Sequence, residues 1–190
     1  MAAALTKTRT ASRTRSLAFC GLSIALMTAA AWITVPFGPV PFTLQTFVMV
    51  FALLALTPKE CLASIGGYLL IGAVGLPVFS AMRGGIGVLA GPTGGFLWGF
   101  LLGAAAALVF IHFTKSIAEQ GGKKALAINL AAAVIFMAIT YLIGWVQLMF
   151  VAALSPAAAF AAAIAPFIII DAIKVVVAVG VAAAVKKAVR

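Results

Sequence analysis

The chain has 190 residues, of which 65% are hydrophobic and only 8% charged, too few charges to cover a water-soluble domain of this size. It reads as an integral membrane protein, with length for about six crossings of ~20 to 25 residues and no room for a soluble catalytic or nucleotide-binding domain. The excess of 13 basic over 3 acidic side chains does not point to nucleic acid, because the basic residues punctuate apolar runs instead of gathering into one accessible stripe with polar or aromatic readers.

Residues 1–16 carry Lys7, Arg9, Arg13 and Arg15 and form a basic cytoplasmic segment. They resemble the start of a secretory signal, but the apolar run that follows spans residues 17–35 and more runs come after it, which predicts a retained first helix. Within that run Gly21, Ala25 and Ala29 recur at the spacing that lets helices approach closely in lipid. Gly38, Pro39 and Pro41 close the first connection, and Pro41 pins the entry to a second run at 43–56, with Gln45 about one turn inside it. A buried Gln can serve an amide-like ligand as donor and acceptor, or it can bond a neighbouring helix. Pro58 precedes a third run at 61–79.

From Ser80 to Gly95 the chain reads SAMRGGIGVLAGPTGG, six glycines in sixteen residues around Arg83. A flexible external linker would place polar residues between the glycines. Here Ile86, Val88, Leu89 and Pro92 are interleaved, which predicts a packed lid whose backbone comes close to a ligand. The fourth run covers 95–113, the fifth 125–154 after Gly121 and Gly122, and the sixth 157–185 after Pro156, leaving a basic tail at 186–190. Residues 17–185 are thus expected to form one membrane domain. The second run is short for a straight span and the last two are long, so tilt, interfacial turns or an embedded loop must absorb the difference.

Cytoplasmic flanks carry the excess of Lys and Arg. With the N-terminus inside, eleven of the thirteen basic residues fall on cytoplasmic segments, and only Arg83 on an external loop and Lys174 within a helix remain. Both termini are therefore expected in the cytoplasm. Arg83, Asp171 and Lys174 then stand out, because a charge at bilayer depth costs at least ~2.5 kcal/mol and is usually kept facing the protein interior. Asp171 and Lys174 stand at i and i+3, on one helix face, and about 7 Å below the outer end if Pro166 opens the helix. Such a pair is either an internal salt bridge that fixes packing or part of a binding site.

Other reactive residues offer less. Cys20 and Cys61 form no CxxC pair, and a single His112 builds no metal site. Tyr68, Tyr141, Trp32, Trp98 and Trp145 are more often interfacial or packing residues than ligand stackers. There is no HExxH, paired-carboxylate or Ser-His arrangement at membrane depth, so no catalytic residues are assigned. A stand-alone ion-coupled carrier with Asp171 as its cation or proton site is the alternative to a binding subunit.

The segments PVPFTLQTF, YLLIGAVGLPVFS, RGGIGVLAGPTGGFLWGF and PFIIIDAIKVVVA, in that order, resemble the BioY family of biotin transporters, and the similarity runs from about residue 17 to 185. The resemblance implies an all-α bundle of six transmembrane helices with an external glycine-rich capping loop, acting as the S component of an energy-coupling factor (ECF) transporter in a bacterial cytoplasmic membrane. It implies biotin as the cargo, no cofactor, and separate partner chains: an integral T component and ABC-type ATPases, in keeping with the lack of a Walker A loop here. It also implies that the whole bundle topples to release the vitamin inside. Arg83, Asp171 and Lys174 match charged positions around biotin, and the glycine-rich segment with Gly84 and Gly91 matches its capping loop; Gln45 and Tyr68 are further candidate substrate-binding residues. An Ala-xxx-Ala motif docks the T component in many S components; the aligned place is Ala18 with Leu22, a departure, while Ala25 and Ala29 keep the pattern further on. Biotin's chemistry suits these residues: Asp171 would accept ureido N–H bonds, Lys174 would donate to an oxygen, and Arg83 would pair with the carboxylate.

Overall fold

The computed structural model describes residues 2–36 and 38–189, with side chains from 13 to 36 and from 38 to 188; the Lys7 and Arg9 side chains and Arg190 lie outside the described residues. Each of the first five apolar runs yields one helix. The first gives α1 (Ala2–Trp32), which continues through the basic segment, and the second gives α2 (Gln45–Ala55). Between them, β1 (Thr34–Val35) pairs antiparallel with β2 (Phe42–Thr43), a ribbon that the all-α expectation did not include.

The third run becomes α3 (Pro58–Ala73). Pro58 opens it, and the Thr57 hydroxyl accepts from the Glu60 N–H while the Glu60 carboxylate accepts from the Thr57 N–H, a capping box. The helix stops six residues before the expected end at Phe79. Gly75 takes φ +115°, which few other residues tolerate, and Pro77 cannot continue the helical bonding. The glycine-rich segment folds into a 3₁₀ turn (Ser80–Met82) and a short helix α4 (Ile86–Ala90), with Leu89 buried.

After α4 come α5 (Gly94–Phe113), the single-turn α6 (Lys115–Ala118) and α7 (Gly122–Val151). α5 and α7 pack backbone to backbone, because Gly95, Gly99 and Gly103 present no side chain to α7: a Cβ on Gly99 would lie 2.7 Å from Thr140 Cα. The sixth run is not one helix. It divides into α8 (Pro156–Ala163) and α9 (Ile168–Val189) at the turn 164–167, where Pro166 has no N–H to give. The break places Asp171 in the first turn of α9.

Among the described residues, four helices are long and apolar enough to cross a bilayer: the 13–32 part of α1, α5, α7 and nearly all of α9. With 11 and 16 residues, α2 and α3 rise about 16 and 24 Å, less than the ~30 Å hydrocarbon core. The bundle's outer surface is apolar, with Leu70, Val74, Phe113, Phe150 and Ile169 exposed, as a lipid-facing surface requires. This is an all-α, multi-pass membrane bundle. α2 lies against α9, α1 against α2 and α3, and α5 against α7, so residues far apart in sequence meet at one end of the bundle, beside the β1–β2 ribbon and the glycine-rich segment.

Candidate functional site

A pocket opens at that end, with about 680 Å³ of space between its walls when the open mouth is counted. Arg83, Gln45, Asp171 and Lys174 line it. The charged pair is its polar floor: Asp171 and Lys174 are 6% and 8% exposed, and Lys174 Nζ lies 2.7 Å from Asp171 Oδ1. An ion pair this far from water survives only if its remaining hydrogen-bonding capacity is met.

Here it nearly is. Lys174 donates to the Thr43 carbonyl at 2.7 Å, to Thr46 Oγ1 at 3.3 Å and to Asp171 Oδ1, which uses all three of its N–H groups. Its ammonium also sits 3.9 Å from the centre of the Phe42 ring, a cation–π contact. Thr46 in turn donates to Asp171 Oδ1 at 3.0 Å, so Lys174, Thr46 and Asp171 close a ring. Tyr141 donates to Asp171 Oδ2 at 2.5 Å. A carboxylate offers about four lone-pair sites. Oδ1 takes two donors and Oδ2 one, which leaves one acceptor position on Oδ2 for a ligand N–H. A ligand oxygen reaches Lys174 only by sharing or displacing one of its bonds, and the Thr46 bond, at 3.3 Å, is the longest of the three.

Gln45, 4% exposed, is held from behind. Its Nε2 donates to Tyr68 Oη at 2.7 Å, the Tyr68 hydroxyl donates to the Val78 carbonyl at 2.9 Å, and Thr43 Oγ1 donates to Gln45 Oε1 at 3.3 Å. One Gln45 N–H and one Oε1 lone pair remain for a ligand. Tyr68 does not line the pocket; it is fully buried and orients Gln45.

Arg83 stands exposed at the pocket, its Nε donating to the Ser80 carbonyl at 3.3 Å, and no carboxylate pairs with it among the described residues. The Ser80–Met82 turn before it holds two non-glycine residues at positive φ, Ala81 and Met82, both at 57°. The turn is strapped to the C-terminal end of α1 and to β1: Thr34 Oγ1 accepts from the Ala81 N–H at 3.2 Å, and Trp32 Nε1 donates to the Pro77 carbonyl at 2.8 Å. Gly84 and Gly91 do not line the pocket. Gly84 packs where a Cβ would run into the carbonyls of Gly75 and Leu76, and Gly91 accepts a hydrogen bond from Gln147.

Phe42, Thr43, Thr46 and Tyr141 escaped the sequence reading, which placed Tyr141 among belt and packing residues. Their signal was weak, because hydroxyl and aromatic side chains are common in membrane helices and only the fold brings them to Asp171. Ala18, Leu22, Ala25 and Ala29 are all exposed, on one face of α1 and away from the pocket, and nothing lies within 4 Å of where a Gly21 Cβ would sit.

The BioY family profile matches residues 4–190. Among known proteins, the chain is 39% identical over 173 residues to the biotin transporter BioY of Thermotoga maritima, a match that covers 91% of this chain and 96% of that one. It is 34% identical over 170 residues to the probable biotin transporter BioY of Pyrococcus horikoshii, covering 90% and 95% of the two chains. Among solved structures, the fold superposes with a TM-score of 0.80 and 26% identity, over 93% of each chain, on the crystal structure of the S-component for biotin from an ECF-type ABC transporter.

Proposed function

From the premise that this chain belongs to the BioY family, a family of transporter subunits and not of enzymes, we propose that it captures biotin as the S component of an ECF-type vitamin transporter. An integral T component and ABC-type ATPases, on separate chains, supply the energy. The observation that carries this reading is the buried Asp171–Lys174 pair at the base of a pocket whose remaining polar capacity suits a ureido ring.

Asp171 Oδ2 accepts one ureido N–H, and Gln45 offers both a donor and an acceptor to the same planar group. Phe79, Phe96, Phe100 and Val88 supply apolar wall for the thioether ring and aliphatic tail. Arg83, with no carboxylate partner among the described residues, pairs with the biotin carboxylate at the mouth. Lys174 acts chiefly by orienting Asp171 and tethering β2, and takes up a ligand oxygen by releasing Thr46. This geometry argues against a stand-alone carrier with Asp171 as its cation site, because an ammonium already neutralises that carboxylate.

The exposed α1 face of Ala18, Leu22, Ala25 and Ala29 is the surface we assign to the T component, since the small side chains of Ala18, Ala25 and Ala29 allow close helix contact in lipid. The distribution of Lys and Arg supports a topology with both termini in the cytoplasm, and the family reading places the chain in a bacterial cytoplasmic membrane. Isothermal titration of the detergent-purified chain with biotin, thiamine and riboflavin side by side tests the assignment: biotin alone should bind tightly, and equal or absent binding of all three would overturn it.

A further inference from the structure

α4 has five residues, far short of the ~12–15 at which an isolated helix becomes marginally stable in water, so its position depends on what grips its ends. At its start the Gly85 N–H donates to the Gly72 carbonyl of α3 at 2.7 Å, and just before it the Phe79 N–H donates to the Arg83 carbonyl at 2.9 Å. At its end the last carbonyls of any helix lack intrahelical partners. One side chain reaches them from α7: Gln147 Nε2 donates to the Leu89 carbonyl at 2.9 Å and to the Gly91 carbonyl at 2.8 Å.

The surrounding sequence leaves space for that amide. A Cβ on Gly94 would fall 2.6 Å from Gln147 Nε2, and one on Gly95 would fall 2.7 Å from Gln147 Cβ. Between the two grips, α4 contributes Val88 to the pocket wall and the link to α5 contributes Thr93, while Leu89 anchors the helix in the core. The primary amide offers two N–H donors from one uncharged nitrogen; glutamate would offer none, and methionine would fill the space without bonding.

We propose that Gln147 is the positioning residue that holds α4 closed over the pocket, and that it thereby sets how long the ligand stays bound; the second half of this inference rests on the biotin reading. Loss of the clamp lets α4 open more often without altering the polar floor, so biotin leaves faster while its rate of entry is unchanged or higher.

The test uses the full chain in detergent and labelled biotin, comparing wild type with Gln147→Met and with Gln147→Asn, which is one methylene too short to span both carbonyls. In either variant the dissociation rate should rise about tenfold or more, the loss of two ordinary hydrogen bonds, with no fall in the association rate. Backbone hydrogen exchange across residues 86–93 should quicken in the absence of ligand. A purely structural role would reduce the binding-competent fraction and leave dissociation from the remainder as in wild type, and that result would overturn the proposal. If Gln147→Met yields no folded protein, Gln147→Asn decides by the same criteria. Should wild type fail to bind biotin, the functional reading falls, and hydrogen exchange alone then decides the clamp: unchanged exchange in the variants refutes it.

Discussion

Replacing Tyr141 by phenylalanine removes one oxygen from the site and keeps the ring. That hydroxyl donates to Asp171 Oδ2 at 2.5 Å, and a hydrogen bond to a charged group contributes about 1.5–3 kcal/mol. Lys174 and Thr46 both act on Oδ1, so neither takes over the vacated position on Oδ2. While the pocket is open, water can donate there and offset much of the loss. Once biotin fills the pocket, water is excluded and the loss is felt in full. The difference appears as weaker binding, roughly tenfold to a hundredfold in Kd. Titration calorimetry on the purified Tyr141→Phe chain reads it directly, with Tyr68→Phe as the comparison, because that hydroxyl touches neutral Gln45 and its loss should cost less. Binding by Tyr141→Phe within twofold of wild type, with an unaltered melting temperature, would refute the idea that Tyr141 holds Asp171 in its binding position.

Other perturbations separate fold from function. Gly99→Leu should lower the melting temperature markedly, since overpacking costs about 1–3 kcal/mol or more and the new Cβ would lie 2.7 Å from Thr140 Cα; Gly21→Ala, with nothing within 4 Å, should leave it unchanged. Arg83→Gln should weaken binding of biotin but not of biotin methyl ester, a contrast visible in parallel titrations, and an equal loss for both would remove Arg83 from the carboxylate. Glu60, in the first turn of α3, has its carboxyl held below the usual range, first by the Ser16 hydroxyl and then by Thr57. A depressed folded pKa contributes stability that is present above the unfolded value and lost as the pH falls through the folded one, so acid should loosen the α1–α3 link. Melting temperatures followed into acid should therefore fall less steeply for Glu60→Gln than for wild type.

Much of the site was legible because charge is costly in lipid. Apart from His112 and the two tyrosines, Arg83, Asp171 and Lys174 announced themselves as the ionisable residues left after the flanks expected in the cytoplasm were set aside, and the fold brings all three to one pocket. The partners that give the pair its character were hidden. Thr43 and Thr46 lie more than 120 residues from Lys174 in sequence, and no local pattern links them to α9. Gln147 was hidden for the same reason, since its partners are two backbone carbonyls in another segment. Helix ends were partly readable: Gly75 with Pro77, and Pro166, each carry the local signal that cuts an apolar run short. An apolar run measures burial in lipid, and lipid-facing turns and helices look alike until such a residue intervenes.

The location of the site on α9 is tested most directly by titrating biotin into purified Asp171→Asn and Lys174→Met chains. Each substitution breaks the 2.7 Å ion pair and leaves the other group without its counter-charge, so at least about tenfold weaker binding is expected from both. Wild-type affinity in both variants would contradict a biotin site built on this pair.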